Sequence, residues 1–141
     1  MIGTQHRAES GQALVEFSFG IIVFMMLFIG MIDLGRGVFM FNGVSQAARE
    51  IARETSVHPG TRALGASAQS VAVFQTQRSL VPGLETPVYQ CFDLAGVLQF
   101  DTCKPGDWVR VTISSTFVPA VPFVGAFGPF FLSSTSSAEI Q

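Results

Sequence analysis

A chain of 141 residues has room for one domain and a membrane segment, but not for two full domains. Only 13% of its residues are charged and 48% are hydrophobic, whereas soluble proteins average about 25% charged residues, so the composition favours a membrane protein. The net charge is −2 and the Lys and Arg residues are scattered, which excludes the concentrated basic face that nucleic-acid binding requires.

The most apolar stretch of the chain, residues 13–32, predicts a membrane-spanning helix. It contains the run FSFGIIVFMMLFIGMI, and Glu16 is its one charged residue. About twenty helical residues cover the ~30 Å hydrocarbon core of a bilayer. A cleavable secretory signal would have a shorter apolar core, so we expect this segment to remain in the mature protein. The positive-inside rule slightly favours a cytoplasmic N terminus, with the rest of the chain outside.

The same helix is predicted to continue beyond the membrane and to run from Gln12 to Thr55. Apolar residues then recur at spacings of three and four opposite a charged face, which is the helical period. This apolar stripe consists of Phe41, Val44, Ala48, Ile51 and Thr55. Asp33 and Arg36 are spaced for an i,i+3 ion pair. The HPG turn at residues 58–60 ends the helix, which therefore offers its stripe to a folded domain.

The remainder of the chain, residues 57–141, predicts a small α+β domain. A second helix is expected within residues 61–80, with Thr61 as its N-cap. Its predicted apolar face consists of Leu64, Ala68, Val71 and Phe74. Strands are predicted at VYQCF, at VLQF, at the alternating WVRVTISSTFV and at STSSAEI, and the last of these should pair with the strand before it.

Both cysteines, Cys91 and Cys103, lie in this domain. An even number in an exported domain fits a disulfide, which would contribute on the order of 3 kcal/mol by closing a small loop. Two unrelated buried thiols are the alternative. No histidine lies nearby to complete a zinc site, and we expect no metal and no cofactor. Asp93, Asp101 and Asp107 fall in predicted turns, where aspartate is common, with a calcium site as the alternative.

One apolar segment, FVPAVPFVGAFGPFFL at residues 117–132, contains no polar side chain. Its prolines exclude an uninterrupted second membrane helix. Two interpretations remain: a loop folded onto the sheet as core, or an exposed surface that touches a partner or the membrane, because a large exposed apolar patch usually marks an interface. The candidate interface residues are Phe123, Phe127, Phe130 and Phe131.

Glu16 requires an explanation, because a carboxylate within a membrane helix is usually functional. It follows Gly11, the last residue of the polar leader MIGTQHRAESG, at the fifth position, and Phe17 comes directly after it. This arrangement resembles the start of a type IV prepilin. Together with DLGRGVF and SQAAREIARE, it makes residues 11–56 resemble the TadE-like family of minor pilins, or pseudopilins, of the Tad (tight adherence) pilus. The late segment GDWVRVTISSTFVP is more loosely similar to that family.

The resemblance implies the α+β fold of a type IV pilin, in which a short second helix packs on a small antiparallel sheet. Residues 1–11 would be the leader, residues 12–56 the long N-terminal helix, and residues 57–141 the exported domain. It also implies a single span in the inner, or cytoplasmic, membrane, with the C-terminal domain outside and incorporation into the extracellular pilus.

The resemblance further implies roles for the residues around the leader. A prepilin peptidase would cut between Gly11 and Gln12 on the cytoplasmic side of the membrane. Glu16 and Phe17 occupy the family's assembly positions, and Glu16 would pair with the new N-terminal ammonium of a neighbouring subunit. The partners would be other pilin subunits, the pilus assembly platform and the peptidase, and the family's function would be surface adhesion.

Two other classes of function remain as alternatives. The first is an uncleaved single-pass membrane protein that presents a small binding domain outside the cell membrane, in which Glu16 simply reaches water near the interface. The second is a tethered enzyme. His6 and His58 are the only histidines, and the chain contains no nucleophile elbow, glycine-rich phosphate loop or run of metal ligands, so we do not expect an enzyme.

Overall fold

The structure is a computed structural model that describes residues 5–59, 67–99, 103–126 and 128–141, with side chains from residue 11 onward except at 122 and 123. It contains three helices and four strands within these ranges, consistent with the predicted α+β class. In chain order they are α1 (Gln5–Val57), α2 (Ala68–Leu80), β1 (Val88–Phe92), β2 (Leu98–Gln99), β3 (Trp108–Phe117), α3 (Pro122–Gly125) and β4 (Phe130–Glu139).

Helix α1 is longer at both ends than the predicted helix, which covers residues 12–55. It begins at Gln5, inside the predicted leader, and ends at Val57. The leader contains no proline, and Gly11 lowers helix stability by only about 1 kcal/mol relative to alanine. The helix therefore extends back into the predicted leader as far as Gln5 without a break.

The environment of α1 changes at Asp33. Residues 11–32 are exposed, apart from the half-buried Ser18 and Gly30, whereas one face of the helix is buried from Asp33 onward. The buried residues of this outer half are Asp33, Met40, Val44, Ala47, Ala48, Ile51, Ala52, Thr55 and Ser56. Phe41, which the sequence analysis places on this face, is half exposed, because the buried face passes through Met40 instead.

The four strands form one antiparallel sheet in the order β2-β1-β3-β4. Strand β3 pairs with β4 along its whole length, from Trp108 opposite Glu139 to Phe117 opposite Phe130. The predicted pairing of the last two strands is therefore confirmed, although β4 begins at Phe130 and not at residue 134. The alternation in β3 is also confirmed, because it buries Val109, Val111, Ile113, Ser115 and Phe117 on one face.

This buried face of the sheet packs along the outer half of α1. At one end, the guanidinium carbon of Arg36 lies 5.6 Å from the centre of the Phe117 ring. At the other end, the backbone N–H of Gln141 donates to the carbonyl of Ser56 at 3.1 Å. Strand β4 thus runs in the same direction as α1. The connection between β3 and β4 lies at the end nearest the exposed apolar half of the helix, and Trp108 lies at the opposite end.

Helix α2 begins later than predicted and buries a different face. Its N-cap is Ser67, whose hydroxyl accepts from the N–H of Ser70 while the Ser70 hydroxyl accepts from the N–H of Ser67. The predicted cap, Thr61, and Leu64 lie outside the described residues. Phe74 is buried as predicted, but Ala68 and Val71 are exposed. Ser70, which lies four residues before Phe74 and therefore on the same helix face, accompanies it on the buried face in place of Val71.

The predicted disulfide is present. Cys91 in β1 and Cys103 are bonded, with their Cα atoms 5.6 Å apart, and both side chains are buried. The bond ties β1 to the chain just before the turn that leads into β3. It therefore restrains the end of the sheet that lies farthest from the apolar half of α1.

Gly43 lies where α1 closely approaches Val81, the residue that follows α2. A Cβ atom placed on Gly43 would lie 2.6 Å from Cγ2 of Val81, which is well inside van der Waals contact. Val81 is 2% exposed and its β-branched side chain has little freedom to move away. Glycine is therefore needed at this position to let the two segments pack.

We expect Gly43→Ala to lower the melting temperature of the full chain in detergent. Overpacking against Val81 should cost about 1–3 kcal/mol, which exceeds the gain of about 1 kcal/mol in helix propensity. Gly35→Ala is the matched control, because no heavy atom lies within 4 Å of a Cβ placed there, and it should be neutral or stabilising. Thermal unfolding followed by circular dichroism measures both. A Gly43→Ala protein at least as stable as Gly35→Ala would contradict the prediction.

Candidate functional site

The predicted processing and assembly residues lie together on the exposed start of α1. Gly11 is open on its side-chain face, since no heavy atom lies within 4 Å of a Cβ placed there. Gln12 and Glu16 are exposed, and the Phe17 side chain is 70% exposed. The hydroxyl of Ser18 donates to the carbonyl of Leu14 at 2.7 Å, which satisfies it within the helix. The described part of the folded domain leaves this segment uncovered.

Glu16 is surrounded along the helix by apolar side chains. Among the side chains that the structure describes, no basic group lies within ion-pair distance of the Glu16 carboxylate. The ion pairs among these side chains join Arg36 to Asp33 and His58 to Glu54. Within the same residues, α1 is the one helix long and apolar enough to cross a membrane. The carboxylate therefore stands near one end of a membrane anchor without a partner from the described part of its own chain.

Asp33 marks the other end of the apolar half of α1 and joins it to the sheet. One carboxylate oxygen, Oδ2, accepts from the N–H of Ala120 at 2.6 Å and from the N–H of Val121 at 2.8 Å. The other, Oδ1, accepts from Nη1 of Arg36 at 2.9 Å, which confirms the predicted i,i+3 pair. We call these four residues the Asp33 clamp. It attaches the connection between β3 and β4 to the helix.

The electrostatics of the clamp favour an ionised Asp33. The N–H of Val121 makes the largest contribution and lowers the pKa of the carboxyl group; desolvation opposes it, and the N–H of Ala120 and the Arg36 guanidinium lower the pKa further. The net effect is a pKa below the usual value. Sequence reasoning identified the Arg36 pair but missed the two backbone donors, because they come from a segment far away in the chain.

The apolar segment 117–132 is partly core and partly surface. Phe117, Pro119 and Val121 are buried. The exposed side chains are Val118, Val124, Phe130 and Phe131. Part of the segment is therefore core, as the first interpretation predicts, and part is exposed; contact of the exposed part with a partner or the membrane stays a prediction.

Of the four candidate interface residues, Phe130 and Phe131 are exposed, at 44% and 75%. The side chain of Phe123 and the whole of Phe127 lie outside the described residues. Their role as an interface stays a prediction.

An open apolar groove of about 480 Å³ runs between α1 and this segment, next to the Asp33 clamp. Leu34, Val38 and Phe41 line it on the helix side, and Val124 and Phe130 line it on the other side. The groove begins at the level of Gly30, inside the predicted membrane span. It is therefore a continuation of the exposed apolar half of α1.

Two of the three aspartates considered as calcium ligands lie in the described residues, and their carboxylates accept hydrogen bonds from the backbone of turns. Asp93 accepts from the N–H of Ala95 and of Val97 at 2.9 and 2.8 Å, and Asp107 accepts from the N–H of Lys104 at 2.8 Å. Asp101 lies outside the described residues. In the described part of the chain, no three His, Cys, Asp or Glu residues form a group that could hold a metal ion.

The lowered pKa of Asp33 predicts a specific pH dependence of stability. A carboxyl group whose pKa is lower in the folded than in the unfolded chain stabilises the fold above its unfolded pKa of about 3.9, and this stabilisation is lost as the pH falls through the folded pKa. Asp33→Asn should therefore lower the melting temperature at pH 7. The melting temperatures of the variant and the wild type should approach each other near pH 3.

Thermal unfolding of the full chain in detergent between these pH values measures this difference. Glu50→Gln is the control, since Glu50 is an exposed carboxylate on the same helix, and it should follow the wild type throughout. Equal melting temperatures of Asp33→Asn and wild type at pH 7 would contradict a stabilising clamp.

Comparison with known families agrees with the geometry of α1. The family model described as TadE-like protein matches residues 11–53. The match covers the exposed apolar half of α1 and most of the half that packs on the sheet, and it ends before α2. No curated protein and no solved structure matches the chain. The N-terminal helix of this chain is thus similar to the TadE-like family, in agreement with the resemblance seen in its sequence.

Proposed function

We propose that this protein is a minor pilin, or pseudopilin, of a Tad-type pilus that takes part in pilus assembly and surface adhesion. The observation that carries the proposal is the apolar half of α1, residues 11–32, which no part of the described domain covers. It is about 33 Å long at the helical rise per residue. A helix of this kind requires lipid or the helices of other subunits as cover. Adhesion is the function implied by the family.

In this proposal a prepilin peptidase removes the leader by cutting between Gly11 and Gln12 on the cytoplasmic side. The bond lies inside α1, so the peptidase must first unwind the start of the helix. Two properties of Gly11 support this: glycine weakens a helix by about 1 kcal/mol relative to alanine, and its open side-chain face lets another backbone approach.

Glu16 supplies the electrostatic part of assembly. Cleavage leaves an ammonium at Gln12, so every subunit then carries one cation and one carboxylate at the start of its apolar helix. Pairing Glu16 with the ammonium of a neighbouring subunit neutralises both groups in apolar surroundings, and it sets the register between the helices. Fixing register is the best-attested use of buried polar pairs. Phe17, directly after Glu16, would pack against the same neighbour.

The proposed location follows from the anchor and the disulfide. Helix α1 crosses the inner membrane once, with the leader in the cytoplasm and the sheet outside, before the subunit enters the pilus. The Cys91–Cys103 bond supports this orientation, because disulfides persist in oxidising compartments. The proposed partners are other pilin subunits, the assembly platform and the peptidase. The role is structural, without catalysis, a cofactor or nucleic acid.

One observation favours a second candidate function. Helix α1 continues without interruption through Gly11 to Gln5, and a leader that is part of a continuous helix is less accessible to a peptidase. An uncleaved single-pass protein that presents a binding domain outside the membrane would have this form.

The N-terminal residue of the protein recovered from host membranes or pili distinguishes the two functions. We expect a chain that begins at Gln12, and Gly11→Val should leave the leader in place because a β-branched side chain blocks close approach at the cut. Gly20→Val is the matched control, since no heavy atom lies near a Cβ at either glycine. A wild-type chain that begins at Met1 or Ile2 in the presence of the peptidase would contradict processing and favour the second candidate.

Glu16→Ala tests the assembly role separately from processing. Removing one partner of a buried ion pair costs about 3–5 kcal/mol, so the variant should be cleaved normally but should enter pili at less than a tenth of the wild-type level. Sheared pili and membranes analysed by immunoblotting measure both steps. Glu50→Ala, on the exposed surface of the domain half of α1, should assemble normally. Wild-type incorporation of Glu16→Ala would contradict the proposed pairing.

A further inference from the structure

The Asp33 clamp holds the connection between β3 and β4 beside α1, at the point where the apolar half of the helix ends. Asp33 is the first residue after the predicted span, and its carboxylate binds the backbone of Ala120 and Val121 at 2.6 and 2.8 Å. The connection between β3 and β4 is therefore fixed beside the end of the span. The other end of β3, at Trp108, is about 30 Å away at ~3.3 Å per residue.

The charges on α1 indicate where the bilayer ends. The twenty residues of the predicted span, 13–32, are about 30 Å long at the usual rise per residue, which matches the hydrocarbon thickness of a bilayer. Asp33 and Arg36, the first charged residues after the span, therefore lie at its outer boundary. The backbone of Ala120 and Val121, bonded to Asp33, lies at that depth as well.

The surface presented at this level is apolar. Val118 and Phe131 from the connection are 63% and 75% exposed, and Phe130 is 44% exposed. Leu34 and Val38 from α1 are 69% and 53% exposed and share the groove with Phe130. We call these five residues the apolar collar. It is continuous with the membrane-spanning half of α1, so the same solvent can cover both.

Several backbone N–H groups of the connection have partners within the protein. Three prolines, at positions 119, 122 and 129, have no N–H to satisfy. Ala120 and Val121 donate to Asp33. Three further bonds lie within the connection: Gly125 donates to the carbonyl of Val121, Ala126 to that of Val124, and Gly128 to that of Gly125. Lipid-exposed irregular backbone does not occur within the hydrocarbon region, so the connection can lie no deeper than the acyl–headgroup boundary.

We infer that the connection between β3 and β4 is a second membrane contact, which seats Val118, Phe130 and Phe131 in the acyl–headgroup boundary of the outer leaflet. The Asp33–Arg36 pair at the same depth is neutral as a unit, so no net charge opposes insertion. The inference rests on the membrane anchoring in the proposed function, but not on cleavage of the leader. If the connection is seated in this way, one end of the domain contacts the bilayer. The connection must then leave the lipid together with α1 when a subunit is extracted.

Trp108 makes a direct test possible because it is the only tryptophan and lies at the far end of β3. The full chain is reconstituted into phosphatidylcholine vesicles that contain lipids brominated on the acyl chain near the headgroup. In a Trp108→Phe background, Phe131→Trp places the probe on the collar, and Val118→Trp is a second position. Both sites are well exposed, so neither change should prevent folding. We expect blue-shifted emission that brominated lipid quenches.

Two controls give the reference values. Phe28→Trp in the same background lies inside the span and should be quenched strongly, whereas native Trp108 in the wild-type chain should not be quenched. Quenching at positions 131 and 118 that approaches that of the Phe28→Trp probe supports the inference.

The other outcomes overturn it in distinguishable ways. Unquenched, red-shifted emission at both collar positions, with Phe28→Trp quenched, would show that the collar faces water while the anchor remains valid. Unquenched but blue-shifted emission would show that a second copy of the chain covers the collar. Quenching of Trp108 as well would mean that the domain lies flat on the bilayer. Failure to quench Phe28→Trp would overturn the anchor and this inference together.

Discussion

The buried carboxylate of Asp33 connects the two parts of this molecule. Its ion pair with Arg36 and its two bonds to the backbone of Ala120 and Val121 form at the residue where α1 passes from exposed to packed. Because the bonds reach across the fold, they determine where the sheet sits along the helix. They also determine which loop lies next to the apolar half. The proposed membrane contact of the collar depends on this one attachment.

The two halves of α1 differ in the size and burial of their apolar side chains. The outer half carries small residues such as Ala47, Ala48 and Ala52, together with Gly43, which let the sheet and Val81 approach closely. The inner half carries large apolar side chains that remain exposed in the single chain. In the proposed function, lipid covers them before assembly and other subunits cover them afterwards. One continuous helix can thus serve as a membrane anchor and as the spine of the domain.

Much of this organisation could be predicted from local patterns. The apolar run, the helical period, the alternation in β3 and the disulfide between Cys91 and Cys103 each depend on spacing along the chain, and the family match covers the same helix. Where prediction failed, packing between distant segments decided the outcome. Ser70 and not Val71 lies on the buried face of α2, and Met40 and not Phe41 lies on the buried face of α1.

The sequence by itself therefore determined the class of the fold: an apolar helix at residues 13–32 that continues into a small α+β domain. The sequence is sufficient for this because hydropathy and the periodicity of helices and strands depend on consecutive residues. Only the tertiary structure decided that Asp33 binds Ala120 and Val121, and that part of segment 117–132 is core while part is exposed beside the membrane anchor. Such contacts join residues distant in the chain, and no local pattern encodes which loop a buried carboxylate will bind.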